Sequence, residues 1–236
     1  MFTSSFPEKD VVFHTVGLCS RHISMVSMFS SHAESSSNFR DLLELNYQNK
    51  SVVHLTAGSV VPLLKQSVWV VVRGLVKLGA VTEHGDELLL GLAGPNQPFG
   101  ECLSDVEAYE AITSTDCDLL CLSLDEIQQS PELSMAMMNA VGARYRQAEQ
   151  LLALLGLRRI EDRVRGFIEL MAQDYGMPCE DGLRLNLRLT HQDIASALST
   201  TRVTVRRVLG LLREEGWLKF DAQRHVVLTH LPRNKS

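Results

Sequence analysis

Thr190–Arg213 reads Thr-His-Gln-Asp-Ile-Ala-Ser-Ala-Leu-Ser-Thr-Thr-Arg-Val-Thr-Val-Arg-Arg-Val-Leu-Gly-Leu-Leu-Arg, and this stretch decides the fold of the C-terminal part of the chain. Thr190 and Asp193 have the spacing of a capping box, which predicts that a helix begins at His191. Thr201 is suited to cap a second helix. The predicted buried positions follow helical spacing: Ile194, Ala195 and Leu198, then Val205, Val208 and Leu212. Two short helices joined by a tight turn are typical of a helix-turn-helix.

The opposite face of the second helix is basic, and we expect four of its side chains to contact DNA bases: Arg202, Val203, Arg206 and Arg207. A guanidinium group can donate two hydrogen bonds to O6 and N7 of guanine. Four polar residues near the helix starts are expected to contact phosphates: Thr190, Gln192, Thr201 and Thr204. No acidic residue lies between Asp193 and Glu214, so we expect the arginine charges to be uncompensated. The alternative is a solvated basic helix on an ordinary core.

A β-hairpin is predicted after the second helix, because two short apolar runs, Trp217–Phe220 and His225–Leu228, are separated by four polar or small residues. Upstream, an apolar face predicts a helix from about Arg158 to Tyr175, with Gly176 as its stop signal. Residues 177–188 are expected to form a loop and one short strand. We therefore predict a winged helix-turn-helix domain over residues 157–236.

A long helix is predicted over residues 131–156, beginning at Pro131. Six of its residues, spaced alternately by three and four positions, form a heptad seam: Met138, Val141, Tyr145, Ala148, Leu152 and Leu155. One interpretation is a helix that packs on its own β-domain. The interpretation that we favour is a dimerisation helix that pairs with a second copy of itself.

Short β-rich runs separated by glycines follow one another from Lys50 to about Leu124, which predicts an antiparallel sandwich or roll. We place this domain at residues 41–130. Residues 1–40 end in a serine-rich segment and are expected to be a flexible lead-in. Cys117 and Cys121 are expected on one strand face, as core residues.

The composition excludes several classes of protein. The longest apolar stretches, such as Val68–Val72, are far shorter than the ~18 residues of a membrane span. No secretory signal is visible, and the five dispersed cysteines favour free thiols, so we expect a cytoplasmic protein with no membrane partner. The net charge is −5, yet residues 156–236 hold 14 basic and 10 acidic side chains. An acidic body with a basic C-terminal third favours nucleic-acid binding.

Together, the glycine-marked β-roll, the dimerising helix and the winged helix-turn-helix resemble the Crp/Fnr family of bacterial transcription regulators. Val71–Leu78 and Pro98–Glu101 are similar to its β-roll signatures. Pro131–Met135, Asp174–Cys179 and Thr201–Val205 are similar to its NtcA-type branch of cyanobacterial nitrogen regulators. The resemblance implies an α+β fold, a homodimer, double-stranded DNA and RNA polymerase as partners, and a role in nitrogen regulation.

In that family, residues matching Arg202 and Arg207 read guanines, and the residue matching Val203 faces a neighbouring base. Valine cannot accept a hydrogen bond and would touch a thymine methyl group, so the resemblance implies GTA-type half-sites in an inverted repeat. Ser199 replaces the glycine that is usual at the turn. If Ser199 has a positive φ, it costs about 1 kcal/mol.

An effector pocket is also implied by the resemblance, and six residues match it: Phe99, Gly100, Glu101, Tyr109, Arg144 and Glu149. Cyclic-nucleotide binders have a phosphate-binding arginine soon after the Phe-Gly-Glu run, whereas no basic residue occurs here between Glu101 and Arg144. Our alignment places Glu107 where NtcA-type regulators have an arginine for 2-oxoglutarate. We therefore expect no cyclic AMP binding and poor 2-oxoglutarate binding, and either another ligand or a filled roll without an effector.

No enzymatic or metal site is expected. A cupin-like metalloenzyme needs a His-x-His pair with further ligands, and neither His54 nor His84 has such partners in the sequence. The sequence contains no nucleophile elbow, P-loop or dinucleotide-binding turn. An iron–sulfur sensor needs a cysteine cluster near the N-terminus, where only Cys19 occurs. A β-roll module that contacts only protein is the remaining alternative to a DNA-binding regulator.

Overall fold

The computed structural model of the protein describes residues 52–85 and 87–229. The expected lead-in over residues 1–40, together with Cys19, lies outside the described residues. Seven strands form the N-terminal part: β1 (Val53–Leu55), β2 (Ser67–Arg73), β3 (Val76–Val81), β4 (Glu87–Ala93), β5 (Pro98–Phe99), β6 (Tyr109–Thr113) and β7 (Cys117–Ser123). A 3₁₀ turn over Glu101–Leu103 separates β5 from β6.

These strands form two antiparallel sheets, with strand orders β1-β7-β2-β5 and β4-β3-β6. Alternate side chains fill the space between the sheets, including Trp69, Leu78, Phe99, Cys117 and Leu119. The expected antiparallel roll is therefore confirmed. The expected core position of Cys117 and Cys121 is confirmed too, since Cys117 is fully buried and Cys121 packs against the same cluster.

Two helices cover the outer face of the first sheet: α1 (Leu124–Gln129) and α2 (Pro131–Leu155). Val68, Val70 and Leu122 of the sheet pack with residues of both helices. α2 begins at Pro131, as predicted, with the Ser130 side chain as its cap. α1 was not expected.

The C-terminal part contains α3 (Ile160–Tyr175), β8 (Gly176–Cys179), β9 (Gly182–Leu185), α4 (His191–Ala197), α5 (Arg202–Glu214), β10 (Leu218–Phe220) and β11 (Val226–Leu228). The predicted hairpin after the second helix is confirmed as β10 and β11. The prediction of a loop before the short strand was wrong, because residues 176–179 form β8 and pair with β9 in a sheet ordered β10-β11-β9-β8. The predicted helix start at Arg158 was also early, since α3 begins at Ile160.

A shared core joins the two parts of the chain. Leu75 and Leu92 of the roll belong to the same buried cluster as Phe167 of α3, Ile194 of α4 and Val208 of α5. The winged helix domain therefore packs directly on the roll. The α+β fold that the resemblance implies is confirmed by this arrangement. In the described part of the chain, no helix combines the length and the apolar character that a membrane crossing needs.

Candidate nucleic-acid interface

The start of α4 is fixed by a reciprocal pair of side-chain hydrogen bonds. The backbone N–H of Asp193 donates to Thr190 Oγ1 at 3.0 Å, and the backbone N–H of Thr190 donates to Asp193 Oδ2 at 2.8 Å. The predicted capping box is therefore confirmed. Both bonds satisfy amide groups that have no partner within the helix.

A tight turn follows α4, and Ser199 lies in it with φ 48°. The backbone N–H of Thr200 donates to the Ala195 carbonyl at 3.0 Å, which closes the turn. The positive φ that we considered for Ser199 is thus observed, at a position where family members usually carry glycine.

The second helix of the motif, α5, has the two faces that the sequence predicts. Thr201 caps it, since Oγ1 accepts from the backbone N–H of Thr204 at 3.2 Å. Val205, Val208 and Leu212 are buried. The four residues expected to contact bases, Arg202, Val203, Arg206 and Arg207, are exposed, and the exposed fraction of Val203 is 78%. An exposed valine flanked by arginines presents apolar and hydrogen-bonding groups on one surface, as base reading requires.

The residues expected to contact phosphates lie at the N-terminal ends of α4 and α5. Thr190, Gln192 and Thr201 are exposed and Thr204 is half-buried. The hydroxyl groups of Thr201 and Thr204 are 2.9 Å apart and share one hydrogen bond. Amide groups at helix starts attract anions, so these positions suit a phosphate backbone.

One expectation about charge was wrong. Arg207 is not uncompensated, because its Nη2 lies 3.1 Å from Oε1 of Glu161 in the first turn of α3. Among the described residues, Arg202 and Arg206 have no acidic partner. The acidic partner of Arg207 is 46 positions away in the sequence, so a search for acidic residues along α5 alone does not find it.

Sequence reasoning also missed a basic cleft between α4 and the wing. Its volume is roughly 550 Å³, and its lining includes Arg188, Thr190, His191, Phe220 and Arg224. Burial and the nearby charges of Arg202 and Arg206 lower the pKa of His191. The cleft therefore continues the positive surface of the recognition helix toward the wing. In the sequence, the cleft is marked only by two separate arginines, Arg188 two positions before the Thr190 cap and Arg224 in the turn between β10 and β11.

The long helix α2 carries two apolar stripes. Leu133, Met137 and Leu151 are buried against the rest of the same chain. The predicted seam lies beside them: Met138, Tyr145 and Leu152 have exposed fractions of 71%, 63% and 70%, Ala148 is exposed, and Val141 and Leu155 are half-buried. Packing on the chain's own β-domain thus involves the first stripe and leaves most of the seam open.

The six residues matching the effector pocket do not all lie in one environment. Phe99 is buried in the core, Gly100 follows it, and Glu101 is half-buried in the 3₁₀ turn. Tyr109 and Arg144 lie close enough for the Arg144 charge to act on the Tyr109 hydroxyl, although burial dominates and raises its pKa. Glu149 is exposed and hydrogen-bonds Tyr145. Asp105 and Glu107 are exposed in the loop that precedes β6.

Arg144 belongs to a polar cluster that connects the roll, α2 and α3. Its Nη1 donates to the Leu92 carbonyl at 2.7 Å and to Gln147 Oε1 at 2.8 Å. Gln147, only 3% exposed, also donates to Asp174 Oδ2 at 2.8 Å. The Tyr175 hydroxyl lies 3.0 Å from the Leu92 carbonyl oxygen. This cluster therefore connects α3 to Arg144, one of the six residues that match the effector pocket.

Two family models match the chain. One, described as a cyclic nucleotide-binding domain, matches residues 63–130, and the other, described as a Crp-like helix-turn-helix domain, matches residues 147–233. A global nitrogen regulator of Nostoc sp. is 34% identical over 176 residues, covering 71% of this chain and 78% of that protein. The regulatory protein CysR of Synechococcus elongatus is 32% identical, covering 66% of this chain and 74% of that protein.

Solved structures show the same architecture. A CRP/FNR-family transcriptional regulator from Thermus thermophilus has a TM-score of 0.61 at 28% identity, covering 77% of this chain and 94% of that chain. FixK2 from Bradyrhizobium japonicum has a TM-score of 0.65 at 20% identity, covering 76% of this chain and 92% of that chain, and supports the fold. The Nostoc and Synechococcus relatives are named as regulators, and the Thermus thermophilus protein is named as a transcriptional regulator.

Proposed function

The chain belongs to the Crp/Fnr family of DNA-binding transcription regulators, and from that premise we propose that it binds an inverted-repeat site with GTA-type half-sites as a homodimer. The observation that carries the proposal is the exposed face of α5. Arg202, Val203 and Arg206 project from a capped helix whose opposite side is buried in the domain core. Such a helix fits the major groove of DNA.

The order of chemical groups on this face supports a particular half-site. Arg202 and Arg207 supply guanidinium donors for guanine O6 and N7, and Val203 supplies an apolar surface for a thymine methyl group. Phosphates are bound by four residues near the helix starts: Thr190, Gln192, Thr201 and Thr204. These contacts orient the helix on DNA without reading its sequence. Arg188 and Arg224 of the cleft add charge for the flanking backbone.

Homodimer formation is supported by the open seam of α2. A monomer would expose Met138, Tyr145 and Leu152 to water along one side of the helix. Pairing with a second α2 would bury these side chains at coiled-coil spacing. An inverted-repeat DNA site matches the two-fold symmetry of such a dimer.

A randomised-site selection with the wild-type protein and the Val203→Glu variant tests this proposal. Wild type should return an inverted repeat of GTA-type half-sites. Glutamate accepts from cytosine N4, so Val203→Glu should shift the preference from T·A to C·G at the pair that residue 203 faces. Thr190→Ala is the matched control and should weaken all sequences alike. An unchanged half-site with Val203→Glu would contradict the orientation proposed for α5.

The regulated genes form a second part of the proposal. Since relatives include global nitrogen regulators, we propose nitrogen-regulated promoters as targets and RNA polymerase as the partner at them. Genome-wide immunoprecipitation of the full chain would give both the half-site and the regulon. Bound sites without the repeat, or without promoters beside them, would contradict the proposal.

An effector-responsive regulator is the second candidate function, and the position of Arg144 favours it. This cation lies near Tyr109, and burial lowers its pKa, although its Nη1 is already occupied by the Leu92 carbonyl and Gln147. Because Nη1 is occupied and Glu107 stands where NtcA-type regulators have an arginine, we expect the ligand of such a regulator to be neither 2-oxoglutarate nor cyclic AMP, and calorimetry at millimolar concentration should show no binding of either. A tenfold gain in DNA affinity with either compound, about 1.4 kcal/mol of coupling, would favour the effector-responsive regulator instead.

A further inference from the structure

One base-reading side chain is held by an acidic partner within the same chain. Arg207 Nη2 lies 3.1 Å from Glu161 Oε1, and the two side chains are 57% and 40% exposed. Arg202 and Arg206, on the same face of α5, have no such partner among residues 52–85 and 87–229. The three arginines of α5 that are expected to contact bases are therefore not equivalent in the free protein.

The helix turn that carries Glu161 is fixed in position by the core beneath it. Glu161 lies in the first turn of α3, whose Val164, Phe167 and Ile168 are fully buried in the cluster that also contains Val205 and Val208 of α5. A backbone hydrogen bond at the helix start, followed by the Arg207 charge, keeps the pKa of Glu161 below its usual value. The carboxylate stays ionised at neutral pH and remains next to Arg207.

We propose that Glu161 competes with DNA for Arg207 and is thereby a determinant of DNA affinity. The inference rests on the proposed function, in which Arg207 reads a guanine. In this proposal the guanidinium group turns a two-nitrogen edge toward guanine O6 and N7 and thereby loosens the contact of Nη2 with Glu161. Binding at each half-site must therefore break or loosen this ion pair. The free energy of the ion pair then makes the free energy of DNA binding less favourable.

The size of the effect follows from the exposure of the pair. Release of Arg207 should change affinity by about two- to fivefold per half-site, which is about 0.4–1 kcal/mol and lies within the range measured for exposed ion pairs. The effect should shrink as salt is added, because the pair is screened. It should be absent where Arg207 is absent.

A double-mutant cycle on DNA binding tests the inference. Kd is measured by fluorescence anisotropy for the full chain and for Glu161→Gln, Arg207→Ala and the double variant, on a duplex with the selected repeat and on a scrambled duplex. Glu161→Gln should tighten binding to the selected repeat by about two- to fivefold per half-site. In the Arg207→Ala background the same change should have no effect.

Glu215→Gln is the matched control, since Glu215 forms a similar exposed pair with Arg165 at 2.8 Å and involves no base-reading residue. It should leave the affinity unchanged. Tightening by Glu161→Gln in the Arg207→Ala background would show general repulsion of phosphates and would overturn the competition. Weaker binding by Glu161→Gln would show that Glu161 orients Arg207 for reading, which also overturns it. A wild-type protein that does not distinguish the two duplexes would contradict the proposed function instead.

Discussion

At the scale of single residues, Ser199 shows how a local backbone cost is tolerated inside the motif. Its φ of 48° lies in the left-handed region, where a Cβ atom is crowded and glycine is not. Ser199 is exposed, so replacing it removes no buried contact. Ser199→Gly should therefore raise the free energy of unfolding by about 1 kcal/mol in urea denaturation.

Ser196→Gly is the control for that measurement, because Ser196 lies inside α4, where replacing serine by glycine should lower the free energy of unfolding by about 0.5 kcal/mol. If Ser199→Gly destabilised the protein as Ser196→Gly does, the turn would not carry the strain that its φ indicates.

His191 should make DNA binding depend on pH. Burial and the charges of Arg202 and Arg206 lower its pKa in the free protein, and Arg188 and Arg224 line the same cleft. DNA phosphates would offset these positive charges, so the bound state should have the higher pKa and should take up a proton. Because the pKa of His191 in the free protein lies below its ordinary value of about 6.5, affinity should rise as the pH falls toward and below that value. His191→Gln should remove this dependence in anisotropy titrations, and a variant with the wild-type slope would assign it to another group.

At the scale of elements, Asp193 connects the helix-turn-helix to the roll. One carboxylate oxygen caps α4, and the other accepts from Lys77 Nζ of β3 at 2.8 Å. Asp193 has a side-chain exposure of 11%. Asp193→Ala loses the cap and the ion pair and should cost about 2 kcal/mol of unfolding free energy, whereas Lys77→Met loses the ion pair alone and should cost about 1 kcal/mol.

The double variant separates the two contributions of Asp193. Since Lys77 acts through Asp193, the double variant should be no less stable in urea than Asp193→Ala. If the double variant instead lost the sum of the unfolding free energies lost by the two single variants, Lys77 would stabilise the roll by another contact.

The elements that could be predicted from the sequence are those with local signals. The caps at Thr190 and Thr201 and the start of α2 at Pro131 each depend on neighbours within three or four positions. A similar capping box, formed by Ser123 and Glu126, marks the start of α1, a helix that was not predicted. β8 was missed because Gly176 and Pro178 resemble turn residues, and its pairing with β9 is what makes it a strand.

The parts of the site that could not be predicted depend on pairs far apart in the chain. Glu161 is 46 positions from Arg207, and Lys77 is 116 positions from Asp193. Neither pair has a signal in local spacing or periodicity. The first exists only after α3 and α5 have packed together, and the second only after the roll and the winged helix domain have packed together. The sequence therefore predicted which residues face outward on α5, and the tertiary structure determined which of them is already paired.

At the scale of the whole molecule, the roll and the winged helix domain are joined by a shared apolar core and by a buried polar cluster. Gln147 accepts from the Leu92 backbone and from Arg144, and it donates to Asp174. Buried polar groups with several partners tolerate few alternative arrangements. The cluster fixes α3 relative to α2, and α5 packs on α3 in the shared core, so pairing of two α2 helices would also set the distance between two recognition helices.

The last prediction follows from that geometry. Ala148→Glu with Leu152→Glu places four like charges at the centre of a paired seam, so the variant should be monomeric by light scattering and should lose binding to the inverted repeat. Both side chains are exposed in the single chain, so its fold should keep the wild-type unfolding transition. Two-fold symmetry would place the recognition helices about 34 Å apart, one turn of DNA. Adding five base pairs between the half-sites rotates one of them by about half a turn and should abolish binding of the wild-type dimer as well. A monomeric wild type, or equal affinity for both spacings, would show that the seam does not form the dimer.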